Sequence, residues 1–281
     1  MATHPFRIVN VFTQNQGALS GNPLCVFENA ETFNTETMQG LARQFNLSET
    51  TFLLPSTRAA ARVRIFTPTY EMPFAGHPTL GSAHVCRALK LGGDSLELEM
   101  QAGMIPVRAA GDRWTLTALR PGWRELDASR STLAAALGLE ARDIGERPLW
   151  VKAGKEQLVV PLTSSDAVRR TAPDSQLLNG IRSEDGHSMA YVFAFDGPGR
   201  ALARFFFPQG AALMEDPATG SATANFGGWC VAMQRRLPVE LQISQGEQAG
   251  RPSHLFLHVN EQQDIYVGGD VLEIGRGTIT L

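Results

Sequence analysis

The chain has 281 residues, of which 43% are hydrophobic and 19% charged, and its formal net charge is −3 at pH 7. This length and composition are typical of a globular protein with room for two domains. Because Lys and Arg form no stripe, the sequence gives no support for nucleic acid or an anionic membrane as partner, and a small neutral or anionic ligand is expected.

The first predicted element is a strand within an N-terminal segment, Met1–Phe12, that carries no targeting pattern. It lacks the basic region and long apolar stretch of a signal peptide, and no later segment approaches the roughly 20 apolar residues of a membrane span. We therefore predict a cytoplasmic protein. Three widely separated cysteines in apolar stretches predict buried free thiols rather than disulfides or structural zinc. These cysteines are Cys25, Cys86 and Cys230.

Further along the first half, strands surround two predicted helices. The first helix spans Thr35 to Asn46, because its apolar residues recur at helical spacing. The second has Pro78 in its first turn, ends before Gly92 and has little polar face, which predicts a helix enclosed by sheet. The strands are expected at 6–12, 24–27, 50–54, 62–66, 95–100, 105–109 and 114–118.

The second half has the same combination of strands with an apolar helix, and it follows a turn-rich connection at Leu119–Gly122. A long helix is expected from about Pro217 to Arg235. Strands are expected at 149–152, 158–162, 190–195 and 202–207, and near Leu241, Leu255, Ile265 and Val271. We predict an N-terminal domain at 1–118, joined by the C-terminal strand 271–281, and a C-terminal domain at 119–270.

These elements predict an α+β fold. Strands and helices do not alternate in a βαβ rhythm, which disfavours a doubly wound sheet or an α/β barrel. A curved, mixed or antiparallel sheet around one apolar helix in each half fits better.

One sequence pattern occurs twice in the chain. Arg64–Pro68 and Arg204–Pro208 are each followed by an acidic residue with a Pro, and then by a Thr/Gly/Ser/Ala helix start. Two related halves facing each other would create one cleft, and ligand sites tend to lie at domain interfaces. The repeat therefore predicts a single small-molecule site between two helix N-termini.

The candidate functional residues lie near these helix starts. Gly76–Gly81 predicts exposed backbone N–H groups at the positive end of a helix dipole, where a carboxylate or phosphate binds well, although simple capping is an equal alternative. Asp216 is an N-cap in its ordinary interpretation. Glu49, between a helix and an apolar strand, is most simply a solvated loop residue, and Gly21–Pro23 is a turn first and a ligand contact second. The sequence has no dinucleotide, P-loop, zinc-protease or nucleophile-elbow motif.

At these residues the sequence resembles the phenazine-biosynthesis PhzF-like family, which has the diaminopimelate epimerase fold. The resemblance runs in family order over nearly the whole chain. The matching segments are Gly21–Phe27, Asn46–Thr50, Arg64–Pro68, Gly76–Gly81 and Glu215–Ala222.

The resemblance implies two pseudo-symmetric domains, each a curved mixed or antiparallel sheet wrapped around a central helix, and commonly a homodimer. It also implies isomerase chemistry without a cofactor or metal. Glu49 would be the general acid/base, and His77 and Asp216 would complete the catalytic set. The residues implied to bind or approach the substrate are Asn22, Gly76, Gly220 and Ser221.

One departure from the wider fold bears on the mechanism. Diaminopimelate epimerases and proline racemases place a Cys at the start of each central helix, and neither helix start carries one here. A two-thiol racemase is therefore not expected. The favoured hypothesis is an isomerase that moves a proton and a double bond on a small carboxylate-bearing metabolite. The alternatives are an epimerase or racemase of an amino or hydroxy acid that uses Glu49 and Asp216 as opposed bases, and a non-catalytic metabolite-binding protein.

Overall fold

The structure, a computed structural model, describes residues 2–15, 17–209 and 212–281. The chain divides into two compact units. Unit 1 comprises Met1–Thr117 and Gly268–Leu281, and unit 2 comprises Ala118–Val267. Whether these units are the two predicted domains, each able to fold alone, stays a prediction.

The strands of unit 1 form a closed ring. A long C-terminal strand, β17 (Ile265–Thr280), begins in unit 2 and runs through unit 1. In unit 1, Thr3–Val11 pairs with β17, and Val271 N donates to Asp112 O at 3.0 Å on the other side of that strand. The other strands are β1 (Thr3–Val11), β2 (Asn22–Phe27), β3 (Glu49–Leu54), β4 (Ala61–Phe66), β5 (Glu71–Met72), β6 (Ser95–Met100), β7 (Gly103–Ala110) and β8 (Arg113–Thr117).

Around this ring the pairing order is β1–β2–β3–β4–β6–β7–β8–β17 and back to β1, with β5 added to the end of β4. The β2–β3 and β4–β6 pairs are parallel. The antiparallel pairs are β1–β2, β3–β4, β6–β7, β7–β8 and β1–β17. The ring is therefore a mixed barrel, in which no strand edge of the circuit is left open.

Helix α2 (Gly76–Ala88) packs against β1, β2, β3, β4, β6 and β8, and most of its side chains are buried. A Cβ on Gly81 would lie 2.6 Å from Leu24 Cδ2, so the helix approaches the barrel wall closely at this residue. Helix α1 (Thr35–Phe45) covers the outside of β3 and β4 with one buried stripe. Asn34 caps its N-terminus and Asn46, with φ 52°, ends it. The helix occupies almost the residues that the sequence predicted.

Unit 2 contains the remaining elements. Its strands pair in the order β9–β10–β11–β12–β13–β15–β16, with β14 added to the end of β13. Its strands and helices are β9 (Gly122–Glu125), α3 (Arg130–Ala136), β10 (Leu149–Lys152), β11 (Glu156–Pro161), α4 (Ser165–Arg170), α5 (Ser175–Asn179), β12 (Ala190–Phe195), β13 (Arg200–Gln209), β14 (Ala212–Asp216), α6 (Gly220–Ala232), β15 (Val239–Gln245) and β16 (Ser253–Val259).

The same order of pairings occurs in both units. In unit 2 the β11–β12 and β13–β15 pairs are parallel, and the β12–β13 pair between them is antiparallel. In unit 1 the β2–β3 and β4–β6 pairs are likewise parallel, and the β3–β4 pair between them is antiparallel. Helix α6 packs against β9, β10, β11 and β16 and is buried on all sides. The coarse prediction of mixed sheet around apolar helices is confirmed, and the two pseudo-symmetric domains stay a prediction.

Two details of the predicted elements are wrong. The second buried helix begins at Gly220 and ends at Ala232, not at Pro217 and Arg235, because β14 continues to Asp216 by pairing with Phe205. The strands expected near Ile265 and Val271 are the single strand β17. In the part of the chain that the structure describes, the helices are too short or too polar to cross a bilayer.

Candidate functional site

Glu49 and His77 are brought together in unit 1. Glu49 is the first residue of β3 and His77 is the second residue of α2. His77 Nε2 lies 3.5 Å from Glu49 Oε2, and the two side chains are 7% and 16% exposed. A carboxylate and an imidazole at this separation can exchange or share a proton after a small movement.

The protonation state of His77 follows from its surroundings. Burial lowers the pKa of His77 to about 3, although a hydrogen bond to the backbone of Pro23 opposes the shift. The ring is therefore neutral at neutral pH. Nε2 has no hydrogen-bond partner among the described residues, so the bond to the Pro23 carbonyl is assigned to Nδ1–H. Nε2 then carries a lone pair, which faces Glu49.

The start of α2 has no side-chain cap. Its N-cap is Ala75, and Thr79 Oγ1 donates to the Ala75 carbonyl at 2.7 Å without reaching a first-turn N–H. The backbone N–H groups at Gly76 and His77 therefore lie at an uncapped positive helix end. The predicted ligand contact Asn22 is buried next to Pro23, whose carbonyl holds His77.

In unit 2, Asp216 is held by the loop that leads into α6. Asp216 Oδ2 accepts a hydrogen bond from Thr219 Oγ1 at 2.6 Å, and Gln245 Nε2 donates to Asp216 O at 2.9 Å and to Thr219 Oγ1 at 3.0 Å. The interpretation of Asp216 as an N-cap is wrong, because Thr219 occupies the N-cap position. The Thr219 hydroxyl donates its hydrogen bond to Asp216 and accepts none from a first-turn N–H, so α6 also begins without a side-chain cap.

Ser221, the second residue of α6, belongs to a buried amide chain. Gln157 Nε2 donates to Ser221 Oγ at 3.1 Å, and Asn225 Nδ2 donates to Gln157 Oε1 at 2.7 Å. Asn225 also donates to Lys155 O and accepts a bond from Ala153 N. These bonds fix Ser221 beside Gly220 at the helix start.

The structure thus places the predicted residues in two groups. Glu49, His77, Asn22 and Gly76 belong to unit 1, and Asp216, Gly220 and Ser221 belong to unit 2. A substrate shared by both groups stays a prediction.

The cysteines of the two buried helices lie away from the helix starts and are not suited to acid/base catalysis. Cys86 and Cys230 are buried free thiols near the C-terminal halves of α2 and α6, as is Cys25 in β2. Burial raises the pKa of both Cys86 and Cys230 to about 12. A thiol in this state is a poor proton acceptor at neutral pH, which agrees with the expectation that no thiol pair operates here.

Three supporting residues were missed by sequence reasoning. The Pro23 carbonyl, which orients His77, has no sequence signal, because any residue supplies a carbonyl. Gln157 and Gln245 are 2% and 0% exposed. An amide within the otherwise apolar run Gln157–Pro161 was the available signal, since a buried polar group requires a partner.

Comparisons with known proteins identify the family. The family model for phenazine biosynthesis-like proteins (PhzC-PhzF) matches residues 9–274. A Pasteurella multocida protein named an uncharacterized isomerase is 36% identical over 282 residues, covering 99% of this chain and 95% of that protein. The trans-2,3-dihydro-3-hydroxyanthranilate isomerase of Pseudomonas chlororaphis is 34% identical over 298 residues, covering 99% of this chain and 100% of that enzyme.

The fold agrees with this assignment. The crystal structure of a PhzF-family phenazine biosynthesis protein from Bacillus anthracis superposes with a TM-score of 0.89 at 24% identity, covering 100% of both chains. The chain therefore belongs to the phenazine biosynthesis-like family and is an isomerase.

Proposed function

We propose that this isomerase moves a proton, and with it a double bond, on a small carboxylate-bearing metabolite, with Glu49 as the acid/base group and no cofactor. The observation that carries the proposal is the position of Glu49, 3.5 Å from a neutral His77 at an uncapped helix start. The name of the Pseudomonas chlororaphis relative makes trans-2,3-dihydro-3-hydroxyanthranilate the first substrate to test.

In the proposed reaction, Glu49 removes a proton from a substrate carbon next to a double bond. The electron pair of the broken C–H bond forms a new double bond, and the electron pair of the old one takes the proton back from Glu49 at the far carbon. The product has the same composition as the substrate, so no oxidant, reductant or co-substrate is needed.

His77 supports the intermediate stage of this cycle. When Glu49 carries the proton, its O–H group can donate to the lone pair of His77 Nε2, and the Pro23 carbonyl keeps the ring in this tautomer. The backbone N–H groups at the start of α2 stabilise negative charge that develops on the substrate, because such donors are in place before the reaction begins.

We also propose that Asp216, Gly220 and Ser221 orient the substrate, and that the units are pseudo-symmetric halves. The shared order of strand pairings supports the second statement. The hydrogen bonds that fix Asp216 and Ser221 at the start of α6 support the first. The homodimer and the cytoplasmic location stay predictions.

The test is the Glu49→Gln variant, assayed by incorporation of deuterium from heavy water into substrate and product. We expect the exchange rate to fall by about 10²- to 10⁴-fold, the usual contribution of a positioned acid/base group. The control is Glu31→Gln, an exposed glutamate of the same unit, which retains the wild-type rate. Exchange by Glu49→Gln at a near-normal rate would contradict the assigned role.

A further inference from the structure

A buried hydrogen bond joins the strand that carries Glu49 to the helix that carries His77. Ser82 Oγ donates to Thr51 Oγ1 at 3.0 Å, and both residues are 0% exposed. Thr51 lies in β3, two residues after Glu49, and Ser82 lies in α2, five residues after His77. The two elements of the candidate site are therefore linked by a second contact, which no step of the proposed reaction uses.

The two contacts have similar spacings on the two elements. A strand rises about 3.3 Å per residue, so Glu49 and Thr51 are about 6.6 Å apart along β3 and point to the same face. A helix rises about 1.5 Å per residue, so His77 and Ser82 are about 7.5 Å apart along α2. The hydrogen bond between Thr51 and Ser82 thus fixes the height of α2 along β3 close to the candidate site.

The same bond restricts rotation of α2 about its own axis. Five residues of an α-helix make one full turn and about 140° more, so His77 and Ser82 project in different directions. A helix with its side chains has a radius of about 5–6 Å, so a rotation of about 10° moves a side-chain tip by about 1 Å. A rotation that breaks the Ser82 bond therefore also swings His77 relative to Glu49.

Other interactions of the pair are less able to set its separation. Burial lowers the pKa of His77 to about 3, so its ring is neutral and no ionic attraction draws it to Glu49 across the 3.5 Å between them. On the β2 side, Gly81 of α2 approaches Leu24 closely, but apolar packing has no preferred direction. A hydrogen bond, in contrast, has a defined distance and angle.

We infer that Thr51 and Ser82 are positioning residues, whose buried hydrogen bond fixes the height and rotation of α2 against β3 and thereby holds His77 within reach of Glu49. The catalytic consequence rests on the proposed function, in which Glu49 carries the proton and His77 supports it. In this role neither hydroxyl contacts the substrate.

The test is Thr51→Val, which keeps the shape of the side chain and removes the acceptor of the Ser82 hydroxyl. With trans-2,3-dihydro-3-hydroxyanthranilate as substrate, we expect kcat to fall about 10- to 100-fold, since a misplacement of 1 Å can cost this much. KM should change less than about twofold. Ser82→Ala should have the same effect and is the second variant, whereas Thr51→Ser keeps the hydroxyl and should keep the wild-type kcat. A purely structural role would lower stability and leave the kcat of the folded enzyme unchanged, which would overturn the inference.

Thr50→Val is the matched control. It makes the same change at the neighbouring residue, which is 1% exposed and points to the opposite face of β3. The Thr50 hydroxyl has no hydrogen-bond partner among the described residues, so we expect wild-type kcat and KM. A loss as large as that of Thr51→Val would show that the removal of any buried hydroxyl from β3 slows the enzyme, and the inference would be wrong.

Crystal structures of the wild type and Thr51→Val separate this inference from the proposed function. In the variant we expect the distance between Glu49 Oε2 and His77 Nε2 to change by about 1 Å. An unchanged distance overturns the inference, whichever group carries the proton. If Glu49→Gln exchanges deuterium normally, or the wild type does not convert this substrate, the proposed function fails, and the distance still decides whether the bond between Thr51 and Ser82 holds the pair.

Discussion

Each of the two buried helices follows a short strand, β5 in unit 1 and β14 in unit 2, but the two helix starts present different groups. The second residue of α2 is His77, whose ring is held by a backbone carbonyl in β2, and the second residue of α6 is Ser221, whose hydroxyl is held by Gln157 in β11. Both helices lack a side-chain cap. Both helix starts therefore leave backbone N–H groups uncapped. The chemistry at each start is set by its second residue and by the group that holds that residue in place.

The proposed acid/base group, Glu49, occurs in one unit only. Glu49 directly precedes Thr50, which pairs with Phe66, and Met189 directly precedes Ala190, which pairs with Phe206. Met189 is buried and cannot carry a proton. The comparison teaches that the two units share strand pairings but differ in the residue at this strand start, so that the proposed proton carrier comes from unit 1.

The largest expected effect concerns an arginine that recurs in both units. Arg64 pairs with Glu71 and Arg204 with Glu215, but the side chain of Arg64 is 22% exposed and that of Arg204 9%. Arg204 Nη1 also donates to the carbonyls of α4 and its C-cap, including Thr171 O at 2.5 Å.

We expect Arg204→Ala to lower the free energy of unfolding by about 3–5 kcal/mol, because it leaves the Glu215 carboxylate, which is only 15% exposed, and several carbonyls without their partner. Arg64→Ala removes a more exposed pair and should lower it by about 1–2 kcal/mol. Urea titrations of both variants measure the difference. Equal losses would show that the deeper burial of the second pair has no energetic weight.

The next effect concerns the sixth residue of each helix, Gly81 in α2 and Asn225 in α6. Asn225→Ala should lower the free energy of unfolding by about 2–4 kcal/mol, because it leaves buried groups of Ala153, Lys155 and Gln157 unsatisfied. The measurement is again urea unfolding. The double variant with Gln157→Ala is the control, and it should lose less than the sum of the two single variants. Strict additivity would show that the amide chain is not a connected network.

The smallest effect is the pH dependence contributed by His77. In the folded protein burial lowers the pKa of His77 to about 3, against 6.5 for an unperturbed histidine, so between these values the unfolded chain binds a proton that the folded chain does not. Stability is thus lost as pH falls from 6.5, by at most about 1.4 kcal/mol per pH unit from this group. His77→Gln should show a shallower loss than wild type in urea titrations at pH 6.5 and 4.5. Parallel curves would contradict the neutral state assigned to His77.

Local signals predicted much of the fold. The sequence predicted the apolar stripe and approximate bounds of α1, and it predicted most of the ring strands, because alternation and turn residues mark them. The start of α6 was not. Pro217 suits a first helical turn, but Asp216 is held in β14 by pairing with a distant strand, and no local pattern records that pairing.

The sequence predicted which residues belong to the candidate site, but it did not predict how they are arranged. Family resemblance selected Glu49 and His77, but their contact joins residues 28 positions apart in the chain, and depends on where β3 and α2 meet.

The path of β17 has a consequence for how the protein is made. The ring of unit 1 needs Gly268–Leu281, which follow all of unit 2 in the chain, so β1 has no partner on one side until these residues have been synthesised. Unit 2 has all of its residues earlier. The usual order in which the N-terminal part folds first is then reversed. A nascent chain in which unit 2 has folded but Gly268–Leu281 have not yet left the ribosome would carry a first unit with an open strand edge, which is a template for aggregation.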